Sequence, residues 1–386
     1  MRSAEDILAL TDDERRALAT ELAQKYLMVD GHIDVPFRMV RRPEDVSVAT
    51  ESGDFDYPRA KAGGLDAPFM SIYTPAIYQE RGGAKAFADS LIEMVNGIAA
   101  GAPDKFAIAT SPAEVRDQFE RGLISLPLGM ENGAPIEDDL ANVQYFFERG
   151  IRYVTLTHGR DNLISDSSYD TTGTHGGLSD FGREVVAEMN RLGIMIDVSH
   201  LSDAATNDVF DITAAPVIAS HSSARRFTPG FERNMSDALI QRLAENEGVI
   251  MINFGSSFIS ASYRERRAAA QEHVATYAEE NNLTLDERTA YAQQYFADHV
   301  GYADLSDVVA HFEHVRELVG IDYIGLGSDY DGVGDSLPNG LKDASTYPNL
   351  IYELLSLGYS ESDIEKIMSG NVMRVWETVE RVAAAS

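Results

Sequence analysis

The stretch FGREVVAEMNRLGIMIDVSH, residues 181–200, reads as a helical segment to Leu192 followed by a short apolar run, Gly193–His200, of strand length and with β-branched residues. The next apolar run, Pro216–His221, again ends on a histidine. Working outward, the same alternation recurs. Leu27–Asp34, Pro68–Tyr73, Leu123–Glu131 and Arg152–His158 precede it, and Gly248–Phe254 and Tyr323–Asp329 follow. Helical segments such as Gly82–Ala100 and Asp237–Asn246 separate these runs, and Ser111-Pro112-Ala113-Glu114 looks like a further helix start with proline at the first position. Eight strands alternating with helices predict a parallel sheet, and eight is the number that closes a (β/α)₈ TIM barrel; an open doubly wound sheet is the alternative. The expected organisation is a single α/β barrel domain over residues 1–386.

Three segments lie outside the alternation. Met1–Lys25 predicts an amphipathic helix, with a capping box from Thr11 to Glu14. Residues 256–304 predict a helical insertion after the seventh strand, with the run Arg264-Glu265-Arg266-Arg267 and a second capping box from Thr284 to Glu287. It is either a surface excursion or a lid over the site. Tyr347–Val382 predicts two or three closing helices.

Composition narrows the chemistry. Apolar residues are 44% and charged residues 24%, the proportions of a folded protein. With 32 basic against 62 acidic residues, the formal net charge is −30, which disfavours nucleic acid and anionic membranes as partners. The absence of cysteine excludes disulfides, thiolate metal sites and cysteine nucleophiles. No signal peptide or membrane anchor is read from the sequence, so a cytoplasmic location is expected, with a periplasmic or secreted one if a leader has been removed.

The informative feature is what ends each strand. His32 and Asp34 close the first and share a face by alternation. Glu131 closes the third, His158 the fourth, His200 the fifth, His221 the sixth and Asp329 the eighth. In a (β/α)₈ barrel these ends form one rim, where active sites are built. Imidazole and carboxylate are the ligands zinc takes when thiolate is absent, and this set exceeds the needs of one catalytic ion. It suits two metals sharing a carboxylate. His311 and His314, three apart on a helix, read as a packed or solvated face, and His175 as a loop residue.

Several motifs resemble the membrane dipeptidase (renal dipeptidase) family, peptidase family M19 of the amidohydrolase superfamily. They are Asp30-Gly31-His32-Ile33-Asp34-Val35-Pro36, Gly129-Met130-Glu131-Asn132-Gly133, Leu156-Thr157-His158, Ile196-Asp197-Val198-Ser199-His200, Ser220-His221-Ser222-Ser223-Ala224, Arg233-Asn234 and Gly327-Ser328-Asp329-Tyr330-Asp331-Gly332. The similarity runs in order from about Val29 to Val382. It implies a hydrolase acting on the peptide bond of small dipeptides, tolerating a D-residue at the C-terminal position, through a metal-bridging hydroxide on two Zn²⁺ per chain. It also implies a homodimer. By the same resemblance His32 and Asp34 bind the first zinc, Glu131 bridges, and His200 and His221 bind the second. His158 steadies the oxyanion, Arg233 with Asn234 holds the free C-terminal carboxylate, and Asp329 handles the proton. Two departures stand out: Asn132 follows Glu131 where the family usually has glycine, and Gly255 stands where some members carry an aromatic. The rivals are a lactone or cyclic-amide hydrolase on the same scaffold and a metal-bound barrel without turnover. Arg233 favours a substrate with a free carboxylate.

Overall fold

The structure, a computed structural model, describes residues 1–385. Its centre is a closed barrel of eight parallel strands: β1 Val29–Ile33, β2 Ala67–Tyr73, β3 Leu128–Glu131, β4 Ile151–Thr155, β5 Met195–Asp197, β6 Ile218–Ser222, β7 Val249–Ile252 and β8 Ile324–Leu326. Each strand pairs with its neighbours in the chain, and β8 closes on β1 with Leu326 opposite Asp30. The barrel is therefore the observed architecture, and the open sheet is not.

The run expected as one strand over Leu123–Glu131 divides in two. Ile124–Leu126 pairs with Phe106–Ile108 in a separate two-stranded sheet, and only Leu128–Glu131 enters the barrel. Pro127 stands between them without an N–H to give either ladder. Five other strands stop earlier than expected, β1 at Ile33, β7 at Ile252, and β4, β5 and β8 three residues short, at Thr155, Asp197 and Leu326. His158, His200 and Asp329 thus lie in loops three residues past their strands. At His200 and Asp329 the backbone turns left-handed, with φ of 68° and 61°, which ends the extended conformation.

Alternation along the strands separates two apolar layers. Residues such as Met70, Met130, Val154, Ile196 and Ile250 belong to the large cluster under the surrounding helices. Val29, Phe69, Tyr153, Met195, Ile218 and Met251 belong to a second cluster, which includes Val372, Val375, Trp376 and Val379 of the C-terminal helix Asn371–Ala384. That helix closes the N-terminal end of the barrel. The N-terminal segment forms two helices rather than one, Ala4–Leu8 and Asp12–Lys25, each with its own capping box. The insertion forms Ser256–Ile259, Ala261–Glu280 and Leu285–His299, the last opened by the Thr284–Glu287 box.

Candidate metal centre and active site

At the C-terminal end of the barrel, β1, β3 and β6 carry His32, Glu131 and His221 on the strands themselves. Asp34 follows β1 as the N-cap of the helix Val35–Arg41, so a turn into a helix brings it beside His32. His32 Nε2 lies 3.4 Å from Asp34 Oδ2 and 3.4 Å from Glu131 Oε2. The other oxygen, Glu131 Oε1, lies 3.2 Å from His200 Nε2, 3.3 Å from His221 Nε2 and 3.4 Å from His158 Nε2. The two carboxylate oxygens therefore face two different sets of nitrogens. His200 Nε2 and His221 Nε2 are themselves 3.0 Å apart.

Such spacings match a common cation. A tetrahedron with bonds of about 2.0–2.1 Å has edges of about 3.3–3.4 Å. His32 Nε2 and Asp34 Oδ1 are buried with no hydrogen-bond partner, an arrangement that costs stability unless something else binds them. Three overlapping groups have the reach to hold an ion: His32, Glu131 and His221; Glu131, His158 and His200; and His32, Asp34 and Asp329. The donor set fits divalent ions that take imidazole and carboxylate.

The surrounding residues orient these ligands. Asp197 Oδ2 accepts the Ser220 hydroxyl at 2.6 Å, so Ser220 Oγ, 2.8 Å from His221 Nδ1, accepts from that nitrogen. The proton is held on Nδ1 and the lone pair is left on Nε2. His32 Nδ1 meets the Tyr153 hydroxyl at 2.8 Å. The Tyr153 ring occupies the space that Gly129 leaves open, where a Cβ would sit 2.0 Å from the ring. Asp30 accepts from Ser328 N, and Asp329 N donates to His32 O at 3.1 Å, so the loop carrying Asp329 is tied to β1. Asn253 Nδ2 donates to Asp329 Oδ2 at 2.8 Å.

Electrostatics divide the carboxyls. Burial pushes Glu131 up, but the facing imidazoles, His32 and His158 first, outweigh it and hold the carboxyl well below the usual range. Burial pushes Asp329 well up, and the neighbouring Asp34 and Glu131 add to the rise. His200 and His221 are held neutral, first by burial and then by neighbouring positive charge.

A cavity of about 440 Å³ opens over these groups, lined by Asp34, Glu131, His158, His200 and Asp329 among others. His158 is not enclosed as the other histidines are. Its ring lies between Tyr73 and His200, at centroid distances of 4.6 and 4.1 Å. Arg233 is buried, with 2% exposure, and is not the surface charge an average arginine would be. Its Nη1 donates to Ser222 Oγ at 2.8 Å and its Nη2 to His221 O at 2.7 Å, while Nε has no partner. Asn234 is not brought into the cavity. Its amide donates to Thr228 Oγ1 and Phe258 O and accepts from Ser223 N, which pins the loop.

Other expectations resolve in the same terms. Asn132 adopts φ 76°, the left-handed conformation glycine favours, and its side chain bonds Thr74 O and Ala134 N. His311 accepts from Ala224 N and donates to Ile259 O, and burial pulls it down to about 4; it packs rather than binds. His175 lies in a loop, as expected, and its Nε2 meets Asn162 O at 2.7 Å. The insertion is not wholly a surface excursion, since Ser257, Phe258 and Arg267 line the cavity. Residues that sequence reasoning missed are Asn253, Tyr73, Tyr169 and the pair Asp197 and Tyr153. A polar residue inside an otherwise apolar strand is the signal that marks Asp197.

The comparisons with known proteins agree with this geometry. The model of the membrane dipeptidase family (peptidase family M19) matches residues 16–386. Dipeptidase aclJ of Aspergillus oryzae is 36% identical over 343 residues, 86% of this chain and 71% of that protein. The crystal structure of the probable dipeptidase PvdM from Pseudomonas aeruginosa superposes with a TM-score of 0.83 at 25% identity, covering 96% of this chain and 100% of that one. A metallopeptidase from Rhodobacter sphaeroides, solved with a phosphinate mimic of the dipeptide L-Ala-D-Ala, gives a TM-score of 0.76 at 25% identity, covering 92% and 99%. This chain belongs to the membrane dipeptidase family, peptidase family M19, and is a dipeptidase of the metallopeptidase kind.

Proposed function

We propose that this chain is a binuclear zinc dipeptidase that hydrolyses small dipeptides with a free C-terminal carboxylate and tolerates a D-residue at that end. The observation that carries the reading is the Glu131 carboxylate, with one oxygen toward His32 and the other toward His200 and His221. His32 and Asp34 would hold one ion, His200 and His221 the other, and Glu131 both. Zinc in such a site acidifies a water toward neutral pH and polarises a carbonyl. The tolerance of a D-residue is supported by the L-Ala-D-Ala mimic held by the Rhodobacter sphaeroides relative.

The chain's own residues do the rest. His158, half-open to the cavity, donates to the oxygen that gains charge as the scissile carbonyl becomes tetrahedral. Asp329 receives a proton from the attacking water and returns it to the leaving amine, with Asn253 fixing its Oδ2. Arg233, buried beneath the cavity against His221 O and Ser222 Oγ, is assigned to the substrate carboxylate, whose planar geometry its guanidinium fork matches. A homodimer is part of this reading and is checked by the mass in solution. The test is elemental analysis together with hydrolysis of L-Ala-L-Ala, L-Ala-D-Ala and their C-terminal amides. Two zinc ions per active chain, cleavage of both acids and poor cleavage of the amides are expected. Full activity with one ion would remove the binuclear assignment, and equal cleavage of acids and amides would favour the lactone or cyclic-amide reading.

A further inference from the structure

The basic run Arg264-Glu265-Arg266-Arg267 has no part in the chemistry above. It lies in the first turns of the insertion helix Ala261–Glu280. Residues three apart share a helix face, so Arg264 and Arg267 project together, away from Glu265 and Arg266. Arg266 turns back on the insertion and donates to Val300 O at 2.8 Å. Arg267 reaches the wall of the active-site cavity. The Arg264 guanidinium lies 3.7 Å over the ring of Phe231. That ring is 5.8 Å from Phe258, over which Arg233 lies at 5.2 Å, and 6.0 Å from Tyr169, which lines the cavity. The insertion thus sets the Arg264 guanidinium two rings away from the arginine assigned to the substrate's C-terminus, and places Arg267, 6.0 Å from the Phe296 ring, on the cavity wall.

The pair lacks a counter-charge, as does Arg41, a further arginine on the cavity wall, whose guanidinium lies 4.5 Å over the Phe37 ring. Acidic groups outnumber basic ones by 62 to 32, and other arginines find them readily, as Arg149 does with Asp89 and Glu93, Arg225 with Asp203, and Arg242 with Asp211. Among the described residues, neither Arg264 nor Arg267 has a carboxylate within 4.0 Å; their polar contacts are Ser257 O and the Tyr263 hydroxyl, both at 3.5 Å. The cavity's own carboxylates do not serve them. Asp34, Glu131 and Asp329 face the metal centre, and Asp331 faces Arg38. A dipeptide with neutral side chains brings one carboxylate, which Arg233 takes.

We propose that Arg264 and Arg267 form a subsite for an anionic side chain on the C-terminal residue of the substrate, so that dipeptides ending in an acidic residue are preferred. The proposal rests on the dipeptidase reading above. Guanidinium suits the task, because its planar fork meets a carboxylate with parallel hydrogen bonds, and stacking on Phe231 holds one fork in place. The test compares kcat/KM for Ala-Glu and Ala-Gln, each with an L- or a D-residue at the C-terminus, on zinc-loaded protein. The two side chains match in size and differ in charge. A preference for the Glu peptide of about 10-fold or more is expected. In Arg264→Met/Arg267→Met the ratio should fall to about 2 or less, whereas Arg266→Met, on the far side of the helix, should keep it. A wild-type ratio near 1, or a preference that survives in the double variant, overturns the subsite while leaving a working dipeptidase. Cleavage of neither peptide by protein holding its metals overturns the dipeptidase reading, and the subsite with it.

Discussion

At the N-terminal end of the barrel, Trp376, Phe69 and Tyr153 form a column of rings, with 5.3 Å between successive centroids. At the other end the buried side chains are His32, Asp34, Glu131, His200, His221 and Asp329. These side chains are buried at both ends, although a cavity opens over the polar one, and the two ends are stabilised in opposite ways. The apolar end is held by area removed from water and by close packing, which require no partner outside the chain. The polar end concentrates charge and leaves His32 Nε2 and Asp34 Oδ1 unbonded, a cost of about 1–3 kcal/mol for each such group. One residue joins the two. Tyr153 packs its ring against Phe69 and sets its hydroxyl on His32 Nδ1. The comparison teaches that the fold is secured at one end so that the other can hold a ligand-hungry arrangement.

Four substitutions break or sharpen that contrast. The largest effect belongs to Glu131→Gln, which removes charge from the carboxylate between the two sets of nitrogens. Metal content should fall at both sites together and turnover should drop to background; retention of both ions, read by elemental analysis, would remove Glu131 from the bridging role. Asp329→Asn comes next, with an expected loss of about 10²–10⁴ in turnover, because a carboxamide keeps the shape but cannot accept and return a proton. Its melting temperature and metal content should stay near those of the parent. Loss of metal instead would make Asp329 chiefly a ligand.

The third probes the opposite end. Trp376→Ala should cost about 3–5 kcal/mol of stability in denaturant titration, while the metal content of the folded fraction is kept. A large fall in metal affinity at unchanged stability would show that the two ends are not separable in this way. The smallest effect is expected from Arg233→Met, about 10- to 150-fold in kcat/KM for free dipeptides and less for their amides. An equal loss on both substrates would assign Arg233 to holding His221 O and Ser222 rather than to the substrate.

Much of this was legible in the linear chain because the signals are short. The capping boxes Thr11–Glu14 and Thr284–Glu287 need only four residues, and both are formed. Eight apolar runs ordered the barrel, since each strand pairs with its neighbours in sequence. Where the expectations departed, the deciding partner lay far along the chain. Ile124–Leu126 follows Phe106–Ile108 rather than the barrel because of which backbone is available to pair with it. The first strand's alternation implied that His32 and Asp34 share a face; they do meet, but through the turn that makes Asp34 a helix cap.

The sequence by itself determined the inventory: imidazoles and carboxylates at the ends of successive strands, no thiolate, and a surplus of acid. Those are properties of residue type and local order. Only the tertiary structure decided that Glu131 divides its oxygens between two sets of nitrogens, that Arg233 is buried against His221, that Asn234 is engaged by Thr228 and Phe258, and that Arg267 lines the cavity while Arg264 stacks on Phe231. Each depends on atoms brought together from positions between 6 and 99 residues apart, and neither strand periodicity nor helix spacing encodes such contacts. Closure of the barrel sets them, because it directs every strand's C-terminal end to one rim.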